Sequence, residues 1–202
     1  MTIDTFLFDI GEVLVDWNPD HLLRKLLPDD DAIRAFRQEA VTQERILNMD
    51  RGQSWDEQWA EIEAHAPHHL DTAREYGTRW VETIAGPVQG SVDILTDLQA
   101  RGYPTYALSN YGAENFERTV TVYPYLDTFD GRVVSGYEGM IKPEPEIYQL
   151  VIDRFGIDPT RTLFIDDKAY NTEAAEAFGF QTHIFTTPER LADHLATLNL
   201  DR

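Results

Sequence analysis

The sequence predicts an α/β fold, a doubly wound parallel sheet with a four-helix segment inserted after its first strand. Short, continuous apolar runs end in polar residues at positions 5–9, 105–110 and 162–167. Such runs are typical of strands that are buried on both faces of a parallel sheet. Helix-like stretches, each closed by a glycine, separate the later runs. Alternating strands and helices indicate the doubly wound arrangement.

The elements of the predicted core follow one another along the chain. After the strand at 5–9 they are a helix at 88–100, a strand at 105–110, a helix at 144–155, a strand at 162–167, a helix at 172–178, a strand at 181–185 and a helix at 188–198. Gly102, Gly156 and Gly179 supply the helix ends. We therefore expect a Rossmann-like core at 1–17 and 85–202.

The segment 18–84 is expected to be a separate, helical cap. Its four helices are predicted to begin at Pro19 or Asp20, at 29–31, at Ser54 and at His69, the last running to 84. Apolar residues recur at helical spacing in this segment, which indicates core packing.

Charge excludes several classes of partner. The 202 residues carry 36 acidic and 17 basic side chains, a formal net charge of −19. Nucleic acid and anionic membranes are therefore not expected as partners, because both attract clustered Lys and Arg. Only three of the basic residues are lysines, Lys25, Lys142 and Lys168.

Cysteine is absent, so disulfides, a thiol nucleophile and a cysteinyl metal site are excluded. No apolar run approaches the roughly 20 residues of a membrane span. We expect a cytoplasmic protein, and the sequence leaves its oligomeric state open.

Polar residues end three of the predicted strands. They are Asp9, Ser109 with Asn110, and Asp166 with Asp167. Each could be a turn or a helix cap by itself, but the carboxyl ends of parallel strands converge at one crevice. Three carboxylates in one crevice repel one another unless a cation lies among them, and oxygen ligands suit Mg²⁺.

Lys142 is placed in a loop by the following Pro143, which disfavours helical backbone before it. An ammonium there could pair with a nucleophilic carboxylate and a transferred phosphoryl group. The alternative is an ordinary surface lysine.

These residues resemble the motifs of the haloacid dehalogenase superfamily of hydrolases along nearly the whole chain. The four motifs are matched by residues 8–14, 108–110, 142–143 and 165–167 with Asn171. The inserted helices resemble the first cap class of that superfamily. The residues after the acidic pair are similar to the phosphatase branch that includes bacterial glucose-1-phosphate phosphatase and the amino-terminal domain of soluble epoxide hydrolase.

The resemblance implies a Mg²⁺-dependent phosphatase that hydrolyses a small phosphorylated metabolite, such as a sugar phosphate, through an aspartyl phosphate at Asp9. Mg²⁺ would be held by Asp9, the carbonyl of Gly11 and Asp167, and by Asp166 directly or through water. Ser109 and Lys142 would bind the phosphoryl oxygens. Asn110 and Asn171 would position neighbouring groups, with Asn110 also at the substrate.

Gly11 departs from the family pattern, since most phosphatases of this family carry a second aspartate at that position. That aspartate protonates the leaving group and then activates water, help worth about 10²- to 10⁴-fold in rate. Without it, the sequence predicts rates that depend steeply on the leaving group, unless another residue or water fills the role.

Two other functions remain open. The first is a 2-haloacid dehalogenase that uses Asp9 to attack carbon; Asp166 and Asp167 disfavour it, because they would repel a carboxylate substrate. The second is a homologue that binds a phosphorylated ligand or a protein without turnover, for which Gly11 is the supporting feature.

The substrate's organic part is expected to contact the cap. Arg45 and Arg51 lie in a polar stretch, 42–54, where a guanidinium could orient an anionic or hydroxylated substrate. Alternatively, they lie in a solvated loop or pair with Glu44 or Asp50.

Overall fold

A parallel sheet forms the centre of the protein, as the sequence predicts. The computed structural model describes residues 2–198 and 200. The strands of this part of the chain are β1 (Thr5–Phe8), β2 (Val15–Trp17), β3 (Ile84–Pro87), β4 (Thr105–Ser109), β5 (Gly131–Val134), β6 (Thr162–Asp166) and β7 (Gln181–Ile184). Five of them form one sheet in the order β5-β4-β1-β6-β7, with every neighbouring pair parallel.

Helices connect these strands. In the described residues they are α1 (Asp20–Leu26), α2 (Asp30–Glu39), α3 (Gln43–Asp50), α4 (Trp55–His65), α5 (Leu70–Thr78), α6 (Gln89–Ala100), α7 (Ala113–Val122), α8 (Ser135–Glu138), α9 (Pro145–Phe155), α10 (Ala169–Glu176) and α11 (Pro188–Thr197). None of these helices is both long and apolar enough to span a membrane.

Side chains of the central strand alternate between two apolar layers. Leu7 faces a cluster that contains Leu108 and Phe164 from the flanking strands together with residues of α9 and α10. Phe6 and Phe8 face the opposite cluster, which α6 and α11 help to cover. Because both faces are buried, β1 is apolar at every position after Thr5, and the chain becomes polar only at Asp9.

The inserted segment contains five α-helices, not the four expected. The additional helix is α3, in the stretch for which a solvated loop was one of the alternatives. Its start is fixed by Thr42, whose side chain accepts a hydrogen bond from the N–H of Arg45, and such a cap satisfies an otherwise unpaired helix-end group.

The expected helix from His69 to 84 is also too long. Helix α5 ends at Thr78, and after a short 3₁₀ turn the chain enters β3. β3 pairs with β2 in a separate antiparallel sheet. It begins at Ile84, the last residue of the expected helix, so this pairing holds the backbone extended from that residue on. β2 was not predicted from the sequence.

The segment 111–141 carries α7, β5 and α8, none of which was predicted. β5 is a four-residue edge strand of mixed polarity, so its apolar signal is weak. The division into a core at 1–17 and 85–202 and a cap at 18–84 stays a prediction, and its residues 1, 199, 201 and 202 lie outside the described residues.

Two kinds of contact join the inserted helices to the sheet domain. The indole N–H of Trp55 donates to Oδ1 of Asn115 on α7 at 2.8 Å, and both side chains are buried. Both terminal nitrogens of Arg51 bond the carboxylate of Glu144, at 3.1 and 2.5 Å. These contacts place α3 over the carboxyl edge of the sheet.

Replacement of Leu7 by alanine is predicted to lower the free energy of unfolding by about 2–5 kcal/mol, because it opens a cavity between fully buried side chains. Urea denaturation followed by circular dichroism measures the change. Val122→Ala, at a side chain that is 53% exposed, is the control and should stay within about 0.5 kcal/mol. Equal losses in both variants would contradict the assignment of Leu7 to the core.

Candidate active site

Asp9 follows directly after β1 at the carboxyl edge of the sheet. Its N–H donates to the carbonyl of Ile165 on β6 at 2.8 Å. Its Oδ1 receives the N–H of Ile10 at 2.7 Å and the hydroxyl of Ser109 at 2.8 Å, and lies 2.9 Å from Nζ of Lys142. Among the described residues no donor bonds Oδ2. One carboxylate oxygen is therefore fixed and the other is left available.

Lys142 is a buried cation, not a surface lysine. Its exposed fraction is 2%, and Nζ contacts Asp166 Oδ2 at 2.6 Å and the carbonyl of Leu108 at 3.0 Å in addition to Asp9. Burial alone would lower the pKa of Lys142, but the negative charges of Asp166 and Asp9 more than offset it and hold the pKa above its usual value. The side chain is therefore charged at neutral pH.

Two asparagines fix the groups around this cation. Asn110 accepts the N–H of Lys142 at 2.7 Å and donates to its carbonyl at 2.9 Å. Asn171 donates to both oxygens of Asp166, at 3.0 and 3.1 Å. Asn110 thus holds the backbone of the buried lysine, and Asn171 holds a carboxylate that pairs with it.

Three carboxylates meet at this edge. Oxygens of Asp9, Asp166 and Asp167 all lie within 4.8 Å of one another. Burial raises the pKa of Asp9 above its ordinary value, and the nearby charge of Asp166 adds to this, although Lys142 opposes both. Since these three carboxylates outnumber the two lysines that pair with them, Lys142 and Lys168, this set of hard oxygen donors suits a divalent cation such as Mg²⁺.

A cavity of about 320 Å³ opens above these residues. The sheet domain contributes Asp9, Gly11, Ser109, Asn110, Lys142 and Asp167 to its wall. The inserted segment and its two connections contribute Trp17, Gln43, Ile46, Leu47, Asp50 and Trp80. The structure therefore brings the predicted sheet-edge residues together under one face of α3.

Asp50 is a site residue that the sequence analysis considered only as an ion-pair partner. Burial raises the pKa of its carboxyl to about 7, and the charge of Asp9 adds to this, whereas Lys142 and the N–H of Gly112 act in the opposite direction. A signal was available in the sequence. Asp50 lies four positions after Ile46 and three after Leu47, so its carboxyl group shares a helix face with two apolar side chains.

Arg45 and Arg51 do not line this cavity. Arg45 donates to the carbonyls of Glu39 and Ala40 and lies 3.7 Å from a carboxylate oxygen of Glu61. Arg51 pairs with Glu144. Both guanidinium groups thus connect parts of the protein to each other, with partners other than the Glu44 or Asp50 considered from the sequence.

Two phosphatases are similar to this chain along most of its length. A sesquiterpene phosphatase of Aspergillus oryzae is 28% identical over 187 residues, 88% of this chain and 87% of that protein. D-ribitol-5-phosphate phosphatase of Bacteroides thetaiotaomicron is 27% identical over 203 residues, 95% of this chain and 94% of that protein. A dehalogenase is similar over a shorter region: (S)-2-haloacid dehalogenase 1 of a Pseudomonas species is 29% identical over 92 residues, 46% of this chain and 40% of that protein.

Solved structures share the fold. A haloacid dehalogenase family enzyme of Bacteroides thetaiotaomicron, in complex with magnesium and inorganic phosphate, superposes with a TM-score of 0.69 at 24% identity, over 92% of this chain and 95% of that chain. The family model for haloacid dehalogenase-like hydrolases matches residues 3–179. With the parallel sheet and its clustered carboxylates, this match shows that the chain belongs to the haloacid dehalogenase-like hydrolases.

Proposed function

We propose that the protein is a Mg²⁺-dependent phosphatase that hydrolyses a small phosphorylated metabolite through an aspartyl phosphate at Asp9. The observation that carries the proposal is the asymmetry of the Asp9 carboxylate. Three donors hold Oδ1, which fixes the side chain, and Oδ2 is the oxygen left to attack phosphorus. A fixed carboxylate with one oxygen left available at the wall of a cavity is what nucleophilic catalysis requires.

The carboxylates of Asp9 and Asp167 and the carbonyl of Gly11 would hold Mg²⁺. The ion, when bound, would offset the negative charge of the phosphoryl group. Asp166 already accepts hydrogen bonds at both oxygens, from Lys142, Asn171 and the N–H of Lys168. We therefore assign Asp166 a role through water and through its partners.

Ser109 and Lys142 would bind the phosphoryl oxygens once substrate enters. Both already contact Oδ1 of Asp9, so they lie beside the atom that would form the new bond to phosphorus. The charge on Lys142 also favours the ionised form of Asp9, which is the form that attacks.

The residues of the cavity wall indicate the polarity of the organic part of the substrate. Trp17, Ile46, Leu47 and Trp80 give its upper part an apolar surface, and of the lining residues on α3 only Asp50 is charged. This upper part favours a hydrocarbon surface, and the described residues of the inserted segment and its connections that line it include no cation for a second anionic group. A substrate with apolar character, as the name of the Aspergillus relative indicates for that enzyme, therefore fits better than the sugar phosphate considered from the sequence.

The same wall argues against the dehalogenase alternative. A 2-haloacid carries a carboxylate, and the described lining residues include no arginine to bind it. The two lysines of the lining, Lys142 and Lys168, are already paired with aspartates. Asp167 would instead repel it.

Replacement of Asp9 by asparagine is predicted to lower phosphate release from p-nitrophenyl phosphate by at least about 10³-fold, because it removes the nucleophile. Acid-quenched wild-type protein should carry one phosphoryl group on Asp9 by mass spectrometry, and the variant none. Asp153→Asn, on the exposed side of α9, is the matched control and should keep full activity. Turnover that survives in Asp9→Asn would overturn the mechanism.

Removal of divalent cations is predicted to abolish phosphate release, since the clustered carboxylates would then repel the phosphoryl group. Activity is measured after dialysis against EDTA and again after addition of Mg²⁺, which should restore it. Halide release from 2-chloropropionate that persists in EDTA would instead favour the dehalogenase, and Mg²⁺-dependent phosphate binding without turnover would favour the non-catalytic homologue.

Prenyl and aryl monophosphates are predicted to be hydrolysed with kcat/KM at least about tenfold above that for sugar monophosphates and bisphosphates of similar size, a difference of about 1.4 kcal/mol from the apolar wall. The panel is measured by phosphate release. Leu47→Gln should reduce the difference in kcat/KM between the two groups of substrates. A wild-type enzyme that prefers sugar phosphates would contradict this substrate class.

A further inference from the structure

The proposed reaction needs a proton for the departing oxygen, and the loop after β1 does not supply one. Gly11 stands at the cavity wall where the family resemblance places an aspartate. A Cβ atom built on Gly11 would meet no atom within 4 Å. The position is therefore empty of a side chain although there is room for one.

Four carboxyl groups line the cavity: Asp9, Glu12, Asp50 and Asp167. Asp9 is the proposed nucleophile, and Asp167 is paired with Lys168 at 2.6 Å. Burial raises the pKa of Glu12, and the next largest effects on that pKa come from Asp167 and Lys168. Glu12 therefore lies near the proposed metal ligands. Asp50 is the one that enters from the inserted segment.

Among the described residues, the carboxyl group of Asp50 forms no ion pair. No described side chain forms a hydrogen bond or salt bridge with it, and the backbone N–H of Gly112 is the uncharged group that lowers its pKa. The charged groups that influence it are Asp9 and Lys142, and Tyr111 also lies near. Its pKa of about 7 leaves a large protonated fraction at neutral pH, which suits a general acid.

Contacts of the two residues that follow Asp50 hold it at this place. Arg51, the next residue, is bonded to Glu144 of the sheet domain through two nitrogens. After it, Gly52 has a φ of +101°, and a Cβ there would lie 2.8 Å from the carbonyl oxygen of Gly136. The end of α3 can therefore approach the sheet domain this closely only with glycine at position 52.

We propose that Asp50 is the general acid and base that Gly11 cannot be, an inference that rests on the proposed phosphatase function. As Oδ2 of Asp9 bonds to phosphorus and the bond from phosphorus to the leaving oxygen breaks, the carboxylic acid of Asp50 gives its proton to that oxygen, and an alcohol departs. Water then attacks the phosphorus of the aspartyl phosphate. The Asp50 carboxylate takes a proton from that water, the bond between Asp9 and phosphorus breaks, and inorganic phosphate and both free side chains are restored.

Replacement of Asp50 by asparagine tests the proposal through the leaving group. The measurement is kcat/KM at saturating Mg²⁺ for phosphates that range from 2,4-dinitrophenyl to phenyl to alkyl, because this parameter includes the step in which the leaving oxygen departs. Alkyl phosphates should lose about 10²- to 10⁴-fold, whereas 2,4-dinitrophenyl phosphate, whose leaving group needs no proton, should change less than about threefold. Equal losses along the series, or no loss, would overturn the proposal.

Glu12→Gln is the matched control, since it also converts a carboxyl group of the same cavity to an amide. Any change that it causes should be equal for alkyl and dinitrophenyl phosphates. Selective loss of alkyl phosphates in Glu12→Gln with a flat series in Asp50→Asn would transfer the role to Glu12 and contradict the inference.

Rescue provides a second, independent test. Gly11→Asp added to Asp50→Asn should restore at least about tenfold of the lost kcat/KM for alkyl phosphates, because the new carboxyl group has room at the cavity wall. A folded double variant without any recovery would contradict proton transfer by Asp50. Failure of the underlying phosphatase function has a different signature, which is the absence of Mg²⁺-dependent phosphate release by the wild-type enzyme from every phosphate in the series.

Discussion

The contact on which the whole site depends is that of the buried ammonium of Lys142 with Asp9 and Asp166. Nζ lies 2.9 Å from one carboxylate and 2.6 Å from the other, and the lysine side chain is almost fully buried. Loss of one partner from such a cluster leaves an uncompensated buried charge, which costs about 3–5 kcal/mol. Since Asn110 holds the backbone of Lys142, the cluster joins the ends of β1, β4 and β6 into one unit.

The positive charge in this cluster also matters because the whole chain is strongly negative. A net charge of −19 repels phosphate esters at long range, so attraction has to be provided locally. Lys142 and Lys168 both lie at the cavity. Lys25 does not line it, and its ammonium pairs with Glu82 at 2.8 Å. The four carboxyl groups that line the cavity outnumber the two lysines there, and this is why the proposed chemistry needs a further cation.

The proposed division of labour runs between the two parts of the chain. In this proposal the sheet domain provides the nucleophile and the groups for the phosphoryl oxygens. The inserted segment and its connections provide the apolar wall together with Asp50. Because Arg51 holds the end of α3 to Glu144, the proposed acid is in place only while the inserted helices cover the sheet edge. In this proposal the guanidinium of Arg51, which the sequence analysis expected at the substrate, positions α3 instead, since its bidentate geometry suits a carboxylate equally well.

The sequence by itself determined the parallel sheet, the acidic residues at its carboxyl edge and the position of Lys142, because local apolar periodicity and strand ends are written in consecutive residues. Tertiary structure decided that residues 43–50 form a helix face over the site, that β3 is extended, and that Arg51 pairs with a carboxylate 93 positions away. It also decided that Asp50 enters the cavity. Such contacts depend on how the inserted helices pack on the sheet domain, and no short-range pattern encodes that packing.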